Sequence, residues 1–289
     1  VKAITSQQEI DDLRIRPAQL TDRVALANLL AVSTHIHQHL DWVAPLDLLG
    51  QQPFLIAEID GLPVACLACP VDPEPVAWIR LFALRAGFNP LQIWLPLWAQ
   101  AEAMIASYGA KYVASIITNF RFTPLVQACQ FQHSQDVIFL EWTGTSAPSL
   151  PAIEGTIRPL HPGDLPQVKF VDQTAFEDIW RYSLETLSAA LQQAAWATVI
   201  ERDGEVIAYQ LTTLAPFGAH LARLAVLPQH QGKHLGRAMV TDLLDWACRG
   251  GDLRISVNTQ SDNLESQRLY KKLGFQSTGL SYPVYRKDL

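Results

Sequence analysis

Residues 228–237, PQHQGKHLGR, bring backbone donors and cationic side chains together. Before them, Leu221 to Leu227 are apolar apart from Arg223 and end at Pro228, which reads as a buried strand. After them, Leu235, Met239, Leu243 and Trp246 recur at spacings of four, four and three, one face of a helix. The polar residues 229–234, with one glycine, make the tight turn between. Such a turn leaves the first helix N–H groups unpaired at the positive end of the macrodipole, which suits an anion. Gly232 and Gly236 let backbone approach a ligand, while Lys233 and Arg237 add full charges. The chemistry that follows is phosphate binding, although the stretch alone also fits an ordinary strand-to-helix loop.

A second stretch has the same order. Residues 253–275, LRISVNTQSDNLESQRLYKKLGF, read as strand, polar turn, helix and a stop at Gly274. Together the two stretches resemble the GNAT superfamily of N-acetyltransferases. Val226, Pro228, Gln231, Gly232, Lys233, Leu235 and Gly236 match that family's V-x-P and [Q/R]-x-x-G-x-[G/A] pattern. Asn263, Ser266, Tyr270, Gly274 and Phe275 match its later N-x-x-[A/S]-x-x-x-Y-x-x-x-G-F. His234 departs from the pattern, standing where the family has its first signature glycine. That leaves two readings, a residue at negative φ or a histidine held under strain.

The resemblance implies an acyl-CoA N-acyltransferase fold, an α/β (α+β) mixed sheet whose fourth and fifth strands run parallel and splay apart. Leu221–Leu227 and Leu253–Val257 would be those strands. The co-substrate implied is acetyl-CoA, with no metal. Its pantetheine arm would replace a missing strand along Leu224, Ala225 and Val226. The N–H of Val226 would face the thioester carbonyl, where negative charge grows during transfer. The pyrophosphate would lie on the N–H groups of Gly232, Lys233, His234, Leu235, Gly236 and Arg237. Gln231 and Ser266 belong to the same binding set, and Asn263 would bond the far side of the pantetheine. Tyr270, about two turns beyond Asn263, would give its phenol proton to the departing thiolate. Its alternative role is a half-buried core aromatic. No Asp or Glu lies in His220–Arg223 or Val257–Thr259, where many relatives carry a base. His220, relaying a proton through water, and a neutral incoming amine both remain open.

The elements that must position these residues occur twice. The chain has 289 residues, 49% hydrophobic and 17% charged, enough for two globular cores. Ile15-Arg16-Pro17 recurs at 157–159, and E-x-D-G-x-x-x-A at Glu58–Ala65 recurs at Glu201–Ala208. Arg80-Leu81 matches Arg223-Leu224, and Asn119 and Phe131 match Asn263 and Phe275, all at offsets of 142 to 144 residues. A repeat of that length implies two tandem copies of one fold. A Pro/Ser/Thr/Gly-rich linker over 143–155 sets the expected domains at 1–148 and 149–289. Opposite PQHQGKHLGR the first copy has RAGFNPLQIW, opposite Tyr270 it has Val126, and opposite Gly274 it has Gln130. The first copy is expected to keep the fold without the cofactor, and the second to be the catalytic domain.

Along the chain, the first dozen residues are expected to fray, and 13–18 to form a strand. A hairpin turns at Asp60-Gly61, a helix surrounds Trp94–Ala106, and 134–142 close the first copy. His35, His37 and His39 invite a metal reading. In a helix, however, residues two apart share no face, which favours ordinary polar surface or a partner contact. Four cysteines imply no disulfide framework, and all are taken as reduced core residues. Net charge is −6 with no basic run, which speaks against nucleic acid and anionic membranes, and Pro90–Ala106 is too interrupted to span a bilayer. The cytoplasm is the expected compartment. The acceptor is expected to be a small-molecule or peptide amine, chosen by residues 165–196. There Phe176, Glu177, Asp178, Trp180, Tyr182 and Glu185 suit a cation, or else face solvent from a helix pair. The reaction expected is acetyl transfer by direct attack in a ternary complex; the competing reading is a non-catalytic acyl-CoA sensor.

Overall fold

The computed structural model describes residues 12–40, 42–216, 218–251 and 254–289. Residues 1–11 of the segment expected to fray, and Leu253 of the expected strand, lie outside the described residues. The chain forms two compact units, residues 1–134 with 282–289, and residues 135–281.

In the first unit, β1 (Arg14–Pro17), β3 (Phe54–Ile59), β4 (Leu62–Ala68), β6 (Leu81–Arg85) and β2 (Ser33–Gln38) are neighbours in that order. β5 (Val76–Trp78) pairs in parallel with β7 (Tyr112–Ile116), whose other edge takes residues 284–288 of β14 (Gln276–Asp288). The β3–β4 turn has Asp60 and Gly61 at φ 52° and 73°, the left-handed pair that a two-residue hairpin demands. Three helices pack here: α1 (Arg23–Val32), α2 (Pro90–Ser107) and α3 (Thr123–Ala128). α2 buries Ile93, Trp94, Leu97, Trp98, Ala101 and Ile105, a single helical face, against the sheet core.

The stretch containing His35, His37 and Gln38 is extended, not helical, and that corrects the surface reading of the histidines. Alternation puts His35, His37 and His39 on one face. His37 is 1% exposed, its Nε2 lies 3.1 Å from both Ile79 O and Ser115 Oγ, and its ring stacks on Phe122 at 4.3 Å. His39 packs against Trp78 at 4.9 Å. Burial pushes both imidazoles down to about 3, so they are neutral packing groups.

The second unit orders its strands β9 (Thr156–Pro159), β10 (Trp196–Arg202), β11 (Glu205–Ala215), β12 (Gly218–Val226), β13 (Ile255–Gln260), then β8 (Gln132–Trp142). The sheet is mixed because β12 and β13 are parallel and the other pairings antiparallel. Its helices are α4 (Leu165–Ala175), α5 (Leu184–Gln193), α6 (Leu235–Gly250) and α7 (Leu264–Lys272). The hairpin turn recurs at Asp203-Gly204, φ 54° and 81°. The repeated Ile-Arg-Pro also has a shared cause. Arg16 bridges Asp22 and Glu58 at 2.7 and 2.6 Å, and Arg158 bridges Asp164 and Glu201 at 2.8 and 2.7 Å.

The compact units differ from the halves 1–148 and 149–289. Of residues 134–142, expected to close the first copy, 137–142 pair with β13 in the second unit, and 284–288 pair with β7 in the first. Each unit therefore takes its late strand from the other repeat. Leu140 and Trp142 accordingly enter the core formed by Leu221, Val240, Leu243, Val257 and Phe275. The four cysteines are free thiols: Cys66, Cys69 and Cys129 are buried, whereas Cys248 is only half-buried.

Candidate functional site

The site begins where two parallel strands part. β12 and β13 pair at Ala219–Ile255, His220–Ser256 and Leu221–Val257 and no further, although β13 continues beside β8 to Gln260. A bulge at Ala222 sits next to the divergence, because Leu211 opposes Arg223 while Thr212 opposes Leu221. Leu227 N donates to Ile207 O at 2.9 Å. Antiparallel ladders alternate, so Ala225 bonds β11 while Leu224 and Val226 turn their N–H and C=O toward the gap. Gln231 Nε2 reaches Val226 O at 3.1 Å from that side. The gap is thus edged by backbone donors at Leu224 and Val226.

The turn supplies the second wall. Its first helical hydrogen bond runs from Ala238 N to His234 O at 2.9 Å, leaving the N–H groups of Leu235, Gly236 and Arg237 outside the ladder. His234 has φ 64°, so the strained reading holds: a histidine occupies a left-handed position at a cost of roughly 1–2 kcal/mol. Gly232 is also left-handed, φ 75°. Gly236 is not. A Cβ there would sit 3.3 Å from Leu269 Cδ2 and 3.9 Å from Val226 Cγ2, so glycine permits close approach of α6 to α7 and β12.

Together these elements enclose an open cleft of about 810 Å³. From the expected set, Leu224, Ala225, Val226, Gln231, Gly232, His234, Leu235, Gly236, Arg237, Asn263 and Ser266 line it; Lys233 and Tyr270 do not. Asn263 caps α7, accepting from Ser266 N at 3.1 Å. Sequence reasoning missed Arg268 and Lys272, which also line the cleft. They lie four apart on α7, and Leu269 and Leu273 on the same wall complete the i, i+4 pattern that a helical projection from Asn263 would have exposed. With Arg237 they outweigh Glu265 and make the cleft cationic.

Tyr270 is 4% exposed and packs among Leu221, Val257 and Phe275, its ring centroid 5.6 Å from that of Phe275. Burial raises its pKa above the usual phenol value. His220 lies at the last-but-one β12–β13 pair, its Nδ1 2.9 Å from Ser256 Oγ. Burial lowers its pKa, partly offset by a hydrogen bond with Asn258.

The acetyltransferase (GNAT) family pattern matches residues 164–275. The tandem GNAT protein of the clavulanic acid pathway overlays 96% of this chain and 98% of its own, with TM-score 0.63 at 14% identity, a likeness of fold. Residues 164–275 form a GNAT-family acetyltransferase domain. Among curated relatives, the N-alpha-acetyltransferase RimI of Mycobacterium tuberculosis is 39% identical over 71 residues, 25% of this chain and 43% of that protein. The ribosomal protein bS18-alanine N-acetyltransferase of Escherichia coli K12 is 26% identical over 45% of this chain and 86% of its own. The enzyme class is acyltransferase, and both units carry the GNAT fold.

Beside the GNAT cleft, the residues expected to hold a cationic acceptor hold a cation of the chain itself. The Arg223 guanidinium lies 3.6 Å from the Phe176 ring centroid and 4.0 Å from that of Tyr182. It pairs with the fully buried Asp172 at 2.6 Å and donates to Trp180 O at 2.5 Å. Asp178 pairs with Arg181, while Glu177 and Glu185 are exposed. The clamp ties the segment after α4, whose Ala175 and Phe176 line the cleft, to β12 just before Leu224.

Gly236→Leu should weaken CoA binding at least tenfold, because the new side chain is pushed by Leu269 and Val226 toward the cleft. Calorimetry on the folded variant checks this. Unchanged affinity would remove the helix start from the binding site.

Proposed function

We propose that the second unit transfers an acetyl group from acetyl-CoA to a primary amine within a ternary complex. The observation that carries this is the β12–β13 divergence, which turns Leu224 and Val226 backbone into a gap beside an uncapped, cationic helix start. An extended pantetheine arm carries amides that match such an edge, as a missing strand would. The diphosphate falls to the Leu235–Arg237 N–H groups, with Arg237, Arg268 and Lys272 contributing charge. Val226 N–H then donates to the thioester oxygen as the amine lone pair forms the C–N bond. Tyr270 hands its proton to sulfur as the C–S bond breaks. The proton lost by the amine goes to His220 through water, unless the amine arrives neutral. For the acceptor, the Escherichia coli relative is named for the alanine of ribosomal protein bS18 and the Mycobacterium tuberculosis relative as an N-alpha-acetyltransferase, which favours a peptide α-amine first and a small-molecule amine second.

Thiol release from acetyl-CoA, measured against peptides with free N-termini and a panel of small amines, tests the reading. Acceptor-dependent thiol release is expected. Tight CoA binding with no release for any amine would leave a non-catalytic acyl-CoA-binding protein.

A further inference from the structure

The first unit has the same divergence, and something fills it. β5 pairs in parallel with β7 at Val76–Tyr112, Ala77–Val113 and Trp78–Ala114, the counterpart of the three β12–β13 pairs. Beyond them β6 leaves β7, and β2 lies against its freed edge: Gln38 opposes Leu81, His37 Phe82, Ile36 Ala83 and His35 Leu84.

Strand register sets the equivalence between units. Ala65 opposes Leu84, and its repeat partner Ala208 opposes Val226, so Leu84 stands at the position of Val226 and Phe82 at that of Leu224. The repeated Arg-Leu pair is therefore one residue out of step in space, Leu81 matching Arg223. His39 N donates to Arg80 O at 2.9 Å. By alternation, the hydrogen-bonded pairs are then His37–Phe82 and His35–Leu84. The backbone positions that face the gap in the second unit are those that β2 engages in the first.

The far edge of β2 is held in the same way. Asn119, the repeat partner of Asn263, donates from Nδ2 to Ile36 O at 3.2 Å, and Thr118 Oγ1 donates to Gln38 O at 3.2 Å. His37 fills the space between, against Ser115 and Phe122. The anion half is closed as well. Asn89 caps α2 by accepting from Leu91 N and Gln92 N at 3.0 and 3.3 Å, and Pro90 has no N–H to offer.

We infer that residues 33–38 are a built-in peptide ligand of the first unit's acyl-CoA slot, taking the pantetheine position and closing that unit to the cofactor. This rests on the cofactor reading of the second unit. It also gives His37 a role: packing for an inserted strand.

Hydrogen exchange and calorimetry on the full chain test it. Without CoA, the amides of Phe82 and Leu84 should exchange at least about 100-fold more slowly than those of Leu224 and Val226, and CoA should slow only the second pair. One CoA should bind per chain, and Gly236→Leu should weaken that event at least tenfold. A second equivalent surviving in Gly236→Leu, or fast exchange at Phe82 and Leu84, would overturn the inference and leave the second-unit site standing. No CoA binding with slow Phe82 and Leu84 would support the filled slot while removing the cofactor reading of the second unit.

Discussion

Tyr270→Phe should lower turnover by roughly 10²–10⁴-fold, the usual contribution of a positioned acid, with CoA affinity and melting temperature nearly unchanged. The substitution removes one proton and little volume from a ring that is 4% exposed. Burial raises the phenol's pKa, and the ring packs among apolar groups, so loss of the hydroxyl should cost the core little. The same shift fixes the pH dependence. A folded pKa above the unfolded value keeps the acid protonated past the ordinary phenol range near 10. The wild-type alkaline limit from this group should thus lie above that range, and any stability linked to it is lost only as pH rises beyond the unfolded value. If the ring is purely a core aromatic, turnover per folded molecule will hold. Survival of turnover within about threefold, below what acid catalysis normally supplies, would retire Tyr270 as the acid and point to water.

The cleft was legible because its parts are local. A strand ending in Pro228, a polar turn with Gly232 and Gly236, and a helix capped by Asn263 each announce themselves over a dozen residues. What the sequence could not reveal depends on pairing across long separations. Alternation in residues 135–142 shows that Leu140 and Trp142 are buried, but a period of two does not name the partner edge, and the strand joins β13 rather than β7. The histidine run likewise continues directly from α1, so helical spacing looked natural. Only the vacancy left by β6 parting from β7 explains why those residues are extended. In the same way Phe176 and Tyr182 advertise a cation site, and nothing local says that Arg223, more than forty positions later, fills it.

Asp172→Ala should be the most destabilising single change in the second unit, by about 3–5 kcal/mol, the cost of leaving a buried charge without its partner. Asp172 has no exposed surface and Arg223 keeps 7%. The carboxylate also accepts from Tyr209 Oη and, at 2.8 Å, from Tyr182 N, so its removal strands three donors at once. Total stability of a domain is only about 5–15 kcal/mol, so a steep fall in melting temperature is expected. Replacing both partners with apolar residues, Asp172→Leu with Arg223→Met, should recover the part of the loss due to the orphaned guanidinium, since no charge then remains buried, although Tyr209 Oη and Tyr182 N still lack their acceptor. That folded double variant isolates the clamp from stability. The segment after α4 borders the cleft through Ala175 and Phe176, and without the guanidinium between Phe176 and Tyr182 it loses its anchor to β12. The acceptor KM should rise several-fold, while CoA affinity, set by the Leu224 and Val226 backbone and the start of α6, should change less. A loss below about 1 kcal/mol in Asp172→Ala, well short of the cost of an orphaned buried charge, would mean that Arg223 finds water when freed. The clamp would then hold nothing in place.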